Sequence, residues 1–469
     1  MNTLTRRQAL QTVSSGLGSL AFASMATQQA LAENPLAPQP THFPARAKHV
    51  IMVFMSGAPS HVDTFDYKPA LIKNDGSNGG RAGKMMAPKW EFRQRGESGL
   101  WISDLFPHLS KQADELCLLR GMHGDQPNHP TAERAAHTGT GQFIRPSLGA
   151  WSVYGLGTEN TDLPGFVHMG NQFRGSESIN LGNAFLPARY QATTVNPGTE
   201  APRPTGGNSS RSKGKGKGGG EETKESVPNI SNSHLDLRAQ RTQLDLLKRL
   251  NEETLRQEKH QPQVEGILQS YELAYRMQSS MPQVMNLAQE SGPTKTMYGL
   301  DDPATAPFGT QCLLARRMVE SGVRFVEIAN GGWDHHTDIT RLEGNCGAVD
   351  KPLAALIADL KQRDLLKDTL VIWGTEFGRT PHGTGNGRGH NNKGFTTWMA
   401  GGGVKGGFSY GSTDDLGYEA VDGKMHTHDW HATILHLLGI DHEQLTYHYA
   451  GRDFRLTDVY GNVAKDILA

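Results

Sequence analysis

The chain has 469 residues, 47 Lys+Arg against 48 Asp+Glu, and 36% hydrophobic residues. The balanced charge argues against bulk binding of nucleic acid or of an anionic membrane surface, and the length suits one large or two ordinary domains. Three cysteines with no C-x-x-C pair argue against a disulfide framework and against a thiolate zinc or redox motif, while 55 glycines promise many loops.

The first segment is a targeting signal. Residues 5–32, TRRQALQTVSSGLGSLAFASMATQQALA, carry Arg6 and Arg7, a mildly apolar stretch and then Ala30-Leu31-Ala32. This fits a twin-arginine export signal cut after Ala32. The stretch is too short, and too rich in Ser, Gly and Gln, to span a bilayer. The mature protein is expected to be periplasmic or secreted, soluble and exported in folded form, with no stable membrane insertion.

After the signal, short apolar runs alternate with helical patterns, which predicts an α/β fold: a central, mostly parallel sheet sandwiched by helices. HVIMVFM (49–55) is uniformly apolar, as a central parallel strand should be. ELCLLR (115–120) is a second strand candidate. Cys117 in that run and Cys312 further on read as small core hydrophobes. The first part of the core is expected over 45–197. Residues 198–229 are Gly, Ser, Lys and Glu without periodicity and are expected to be a disordered linker. Residues 230–290 read as a helical insertion packed on the core, with Val264, Ile267, Leu268, Tyr271 and Ala274 as one apolar stripe.

The second part of the core is expected over 291–469. QCLLARRMVESGVRFVEIAN (311–330) is a helix–strand pair in which Gly322 stops the helix and 323–328 form the strand. VDKPLAALIADLKQ (349–362) is a helix with Asp350 as its N-cap. TLVIWG (369–374) is a strand, TTWMAGG (396–402) a weaker one, and HATILHLLGI (431–440) a short amphipathic helix.

Polar clusters follow these strands. SGAPSHVDTFD (56–66) offers His61 and Asp63. GGWDHHTD (331–338) offers Asp334 and His336; His335, next to them in an extended segment, should face the other way. TEFGRT (375–380) offers Glu376, GTGNGRGHNN (383–392) offers His390, and HTHDWH (426–431) offers His428 and His431. Ligands of open α/β sheets bind beyond the carboxyl ends of the strands, so these segments should meet at one rim. Mixed imidazole and carboxylate donors predict a divalent metal, zinc first, with manganese or calcium as alternatives.

Three motifs carry a family resemblance. DTLVIWGTEFGRT (368–380) resembles the strand and Ser/Thr-Asp-Asn/His-Gly pattern of the alkaline phosphatase and sulfatase superfamily. HDWHATILHLLGID (428–441) resembles that superfamily's late helix, and NHPTAERAAHTG (128–139) its sulfatase nucleophile stretch. The chain as a whole is similar to a twin-arginine-exported bacterial family of that superfamily, sulfatase-like and of unknown function.

The resemblance implies an alkaline phosphatase/sulfatase-like core and hydrolysis of sulfate or phosphate esters, on a small-molecule or polysaccharide substrate. It puts Glu376 at a metal-ligating Asp, His390 at a late metal-binding His, and Asp334 with His336 at the other metal. Phe377 stands where the superfamily has His or Asn. Ser56-Gly57 stands where it has Asp-Gly, so His61 or Asp63 would replace the missing ligand. His129 stands at the nucleophile position, with Thr131 the nearest hydroxyl, and Cys117 lies outside the stretch. Attack would then come from metal-bound water or a hydroxyl near Thr131, with Arg134 or Arg379 holding the anion. A catalytically silent metal- or glycan-binding protein with the same fold is the alternative.

Overall fold

The computed structural model describes residues 36–78, 83–170, 173–175, 177–197, 235–257, 262–383 and 385–469. The expected export signal and the expected linker over 198–229 lie outside the described residues.

The core is one nine-stranded sheet. Its strands are β1 (His49–Met55), β2 (Leu116–His123), β3 (Phe166–Met169), β4 (Thr193–Val195), β5 (Phe325–Asn330), β6 (Thr369–Gly374), β7 (Phe395–Ala400), β8 (Phe408–Tyr410) and β9 (Met425–His426). Their order is β8-β2-β7-β6-β1-β5-β3-β4, with β9 also on β2. β1 lies parallel between β5 and β6, and β3 continues the parallel run to β4. β7 alone runs antiparallel, pairing β6 on one side and β2 on the other. The fold is therefore mixed α/β with a mostly parallel sheet, as the alternating apolar runs imply.

All seven residues of β1 are buried, which is why its sequence shows no alternation: both faces are covered. Among the described residues the seven longer helices are α1 (His129–Thr138), α2 (Leu148–Leu156), α3 (Leu237–Gln257), α4 (Pro262–Met285), α5 (Ala306–Glu320), α6 (Leu342–Gln362) and α7 (Thr427–Leu437). β3, β4 and α1 carry no periodic signal in their residues. β3 and β4 have four and three residues, too few for a pattern. α1 is polar and Ala-rich, with Pro130 in its first turn and Gly139 closing it at φ 75°.

Two details correct the reading of the sequence. In α4 the side chains turned to the core are Leu273, Met277, Met281 and Val284, whereas Val264, Ile267 and Tyr271 are exposed. Both sets recur at three and four residues, so periodicity located the helix but not its buried face. Asp350 is not an N-cap of its own helix, because α6 begins eight residues earlier, at Leu342. Its carboxylate instead accepts the backbone N–H groups of His108 (2.8 Å) and Leu109 (2.7 Å) at the start of a neighbouring 3₁₀ turn.

β2 is antiparallel to β7 and β7 to β6, so β2 runs in the same sense as β6, β1, β5 and β3. The carboxyl ends of all five point to one rim. The segments that follow them carry Ser56-Gly57, His129, Arg174, Asp334 and Glu376.

Candidate metal centre

Each side chain at the rim is fixed by local structure. Beyond β5, Trp333 is fully buried, and its indole N–H donates to Asn330 Oδ1 (3.0 Å), which anchors the loop that presents Asp334. Gly57 leaves β1 at φ 110°; a Cβ there would come within 2.9 Å of the Trp333 and Asp334 amides. Only glycine allows the two loops to pack so closely. Beyond β6, Gly378–Arg379 pair antiparallel with His390–Asn391, setting Arg379 opposite His390. His129 is the first residue of α1.

One ligand atom from each of His129, Asp334, His336 and His390 lies within 4.8 Å of the other three, and no second such group occurs among the described residues. Asp334 Oδ1 is the hub. It sits 3.0 Å from His336 Nε2, 3.3 Å from His129 Nε2 and 3.7 Å from His390 Nε2. The His336 and His390 Nε2 atoms face each other at 2.9 Å.

The tautomers follow from the outer partners. The His390 Nδ1 atom lies 2.7 Å from the Pro127 carbonyl, which can only accept, so Nδ1 carries the proton and Nε2 turns a lone pair inward when the ring is neutral. The His129 Nδ1 atom lies 2.6 Å from Glu376 Oε1, which likewise draws the proton outward. His129 Nε2 is buried and has no hydrogen-bond partner. Outer carboxylates and carbonyls orient metal-bound imidazoles in this way. Three imidazoles, one carboxylate and an unsatisfied buried nitrogen fit a divalent ion.

Burial alone would raise the Asp334 carboxyl, but the His129 and His390 imidazoles and the Arg379 guanidinium beside it hold it well below the usual carboxylate range. Burial, the Arg379 charge and the other imidazoles lower His336 against the pull of Asp334, which favours the neutral ligand form.

The other candidate residues are placed as follows. Glu376 lies outside the group of four and backs it: Oε1 takes the His129 ring and the Gly57 amide (2.8 Å), and Oε2 takes the Thr375 hydroxyl (3.0 Å). Arg379 is buried and donates to Asp334 Oδ1 (2.6 Å), to the Ala58 carbonyl (2.9 Å) and to the Gly57 carbonyl. His61 is not in the group. Its Nε2 is 2.8 Å from the Gly417 carbonyl and its Nδ1 accepts the Arg379 amide at 3.4 Å, so both nitrogens are spent. Asp63 forms a fully buried two-pronged pair with Arg388 (2.6 and 3.1 Å). His428 and His431 sit on α7, outside the group; His431 Nε2 is 2.7 Å from the Ala136 carbonyl. Thr131 donates to the Asn128 carbonyl (3.1 Å) and Arg134 to the Gly141 carbonyl (3.3 Å). His335 is buried, as its neighbour's outward course implies, and burial lowers it to about 4.

Arg174 is the site residue the sequence did not single out. Its side chain is 46% exposed and its guanidinium lies 3.3 Å from Asp334 Oδ2. Its own N–H and that of Gly175 are held by the buried Glu133 carboxylate, at 3.0 and 2.6 Å. No spacing rule links residue 174 to the strand ends, because β3 was too short to read.

Residues 47–468 match the model of a family described as "Protein of unknown function (DUF1501)". The chain belongs to that family. A family of unknown function is what the motif order implied. No curated protein matches the chain. Among solved structures, this DUF1501 chain is similar to the PsFucS1 sulfatase from Pseudoalteromonas sp., with 14% identity, 85% of this chain and 69% of that one covered, and a TM-score of 0.34. It is also similar to the lipoteichoic acid synthase LtaP from Listeria monocytogenes, with 10% identity, 90% and 78% covered, and a TM-score of 0.36. A third is the phosphonate monoester hydrolase SpPMH from Silicibacter pomeroyi, with 11% identity, 84% and 73% covered, and a TM-score of 0.32. Identities of this size say nothing of activity. No helix of the described residues is long and apolar enough to cross a membrane.

Proposed function

We propose that the chain is a metal-dependent hydrolase of sulfate or phosphate esters that works outside the cytoplasm, on a small-molecule or polysaccharide ester. The observation that carries the reading is His129 Nε2, buried without a partner and facing the same carboxylate oxygen as two other imidazoles. The ligands are His129, Asp334, His336 and His390. Three nitrogens and one carboxylate suit zinc, then manganese, and suit the oxygen-loving calcium ion poorly. When bound, zinc supplies a Lewis acid for the ester oxygen and a water acidified to a pKa near 7.

The chain's own residues do the rest. Glu376 holds the His129 proton on Nδ1, and the Pro127 carbonyl does the same for His390. Arg379 fixes Asp334 and has little freedom left for an anion. Arg174, half exposed beside Asp334, is the cation placed to receive the ester oxyanion. The Thr131 hydroxyl already donates to the Asn128 carbonyl, which favours water as the attacking group. Arg6-Arg7 and Ala30-Leu31-Ala32 support export to the periplasm or beyond.

The test is metal analysis followed by turnover on 4-nitrophenyl sulfate, 4-nitrophenyl phosphate and bis(4-nitrophenyl) phosphate, with zinc or manganese supplied. The expected result is about one ion per chain and hydrolysis that survives Thr131→Ala and vanishes in His390→Ala. A fully loaded protein that cleaves none of these, nor a sulfated polysaccharide, would be a silent metal- or glycan-binding protein.

A further inference from the structure

A second concavity borders the C-terminal half of α1, the helix that begins at His129. It has a volume of about 190 Å³, and its walls include Phe143, Arg145, His428, Phe454 and Tyr460. One short segment serves both places: Asp125 and Gln126 line the cavity, while the next residue, Pro127, orients His390. Ala135 and Thr138 of α1 also line it, six and nine residues after His129, so the two places are roughly 9–14 Å apart along that helix.

The cavity wall carries two carboxylates, Asp125 and Asp458, and two guanidiniums, Arg145 and Arg455, and of these four only Arg145 has no partner at ion-pair distance. Asp125 lies 3.3 Å from His426, Asp458 pairs with Arg452, and Arg455 lies 3.2 Å from Glu443. Among the described residues, no carboxylate comes within ion-pair distance of Arg145. Its guanidinium instead stacks 4.1 Å over the Phe454 ring and 5.4 Å from Phe143. A stacked guanidinium keeps its edge N–H groups free for an oxyanion. His428 is the second unspent group: it is 8% exposed, and its Nδ1 is buried without a hydrogen-bond partner. Burial and the neighbouring His426 keep the ring neutral, with a value of about 4, so it offers one N–H without demanding a counter-charge. The N-terminus of α7 contributes nothing, because the His426 ring caps it. Phe143 and Tyr460, 57% and 62% exposed, give the mouth flat apolar walls of the kind a sugar ring can lie against.

We propose that this cavity binds a second anionic group, a sulfate or phosphate carried on a sugar ring, of the same chain whose ester lies at the metal group. The inference rests on the hydrolase reading and narrows its substrate to a polyanionic saccharide. Arg145 grips the oxyanion, His428 donates to it, and Phe143 and Tyr460 flank the ring.

The test compares wild type with Arg145→Met, which keeps the length and apolar stem, and with Arg145→Lys, which keeps the charge. Binding of inorganic sulfate, maltotetraose and sulfated maltotetraose is measured by calorimetry, with zinc content as the check on folding. The expected result is tight binding of sulfated maltotetraose alone, weakened at least ten-fold by Arg145→Met and less by Arg145→Lys. Turnover of 4-nitrophenyl sulfate and zinc content should stay unchanged. Equal binding of the sulfated sugar to folded wild type and Arg145→Met would overturn the assignment, as would binding of free sulfate as tight as that of the sulfated sugar. If no ester is hydrolysed while Arg145-dependent binding persists, the hydrolase reading falls and the anion-binding cavity stands.

Discussion

Two clusters of this molecule read alike in the sequence and differ in the structure. His61 and Asp63 follow β1 as Asp334 and His336 follow β5, and both pairs end up buried or half-buried at the same rim. Around the first, every donor is spent: His61 bridges Gly417 and Arg379, and Asp63 is clamped by Arg388. Around the second, one carboxylate oxygen serves three imidazoles, two ring nitrogens face each other, and a third nitrogen has no partner. Residue type made both clusters candidates; the count of unspent donors separates them. A polar cluster with every partner present is scaffold, and one whose imidazole nitrogens are turned on one another and on a shared carboxylate oxygen is a place for a cation.

The largest effect that could break this comparison is on the scaffold cluster. Asp63→Ala leaves the Arg388 guanidinium fully buried without its carboxylate, which should destabilise the fold by about 3–5 kcal/mol. Urea unfolding of metal-free protein measures it. The folded fraction should still bind its full complement of zinc. Loss of zinc from folded Asp63→Ala would return Asp63 to the ligand set.

His390→Ala should show the converse. Metal-free protein should unfold within about 1 kcal/mol of wild type, since the ring is partly exposed and makes one bond to a carbonyl. Zinc content should collapse, and the stabilisation that added zinc gives wild type should disappear. A zinc-dependent rise in Tm equal to wild type would remove His390 from the centre.

Glu376→Gln sharpens the comparison more gently, because the amide oxygen can still accept from His129 and Gly57 while the amide N–H₂ meets Thr375. The loss of the negative charge behind His129 should weaken zinc binding about 10–100-fold, read by competition with a chelator. Wild-type affinity in this variant would mean that the carboxylate does not tune the ring.

The fold was legible because burial on both faces leaves an unmistakable mark: 49–55 and 369–374 are apolar throughout and prove to be adjacent central strands. β3 and β4 left no such mark, and with them the loop carrying Arg174 stayed hidden. Asp334, His336 and His390 could be read as candidates because they follow strands or resemble a motif. His129 could be placed only as a nucleophile position, since its turn toward Asp334 depends on α1 crossing the rim, a long-range contact that local sequence does not record. His61 and Asp63 stand outside the group of four because a sequence shows which donors exist, not which are already taken.

His137 extends the comparison to a third histidine and gives the smallest expected effect. Its Nδ1 meets the Glu133 carbonyl at 2.6 Å and its Nε2 meets Glu327 Oε1 at 2.9 Å, in the buried core beneath the rim. Both partners are acceptors, so the ring bonds fully only when doubly protonated. Burial disfavours that cation, but the Glu327 charge and hydrogen bond outweigh burial and raise the ring above its ordinary value. In His137 both nitrogens already face acceptors of the core, whereas His129 turns Nε2 to the Asp334 oxygen that two other imidazoles share. The raised value also has a sign in stability. Unfolded, the ring loses its proton near pH 6.5; folded, it keeps it to higher pH. Its contribution is therefore complete below about pH 6.5 and declines as pH rises through the folded value, by at most about 1.4 kcal/mol per pH unit. The measurement is the difference in pH slope of unfolding free energy between metal-free wild type and His137→Gln from pH 6 to 9. A steeper fall in wild type is expected. Parallel curves would mean that His137 is neutral in the folded chain, and the partner-counting argument would then fail at the residue where it is simplest.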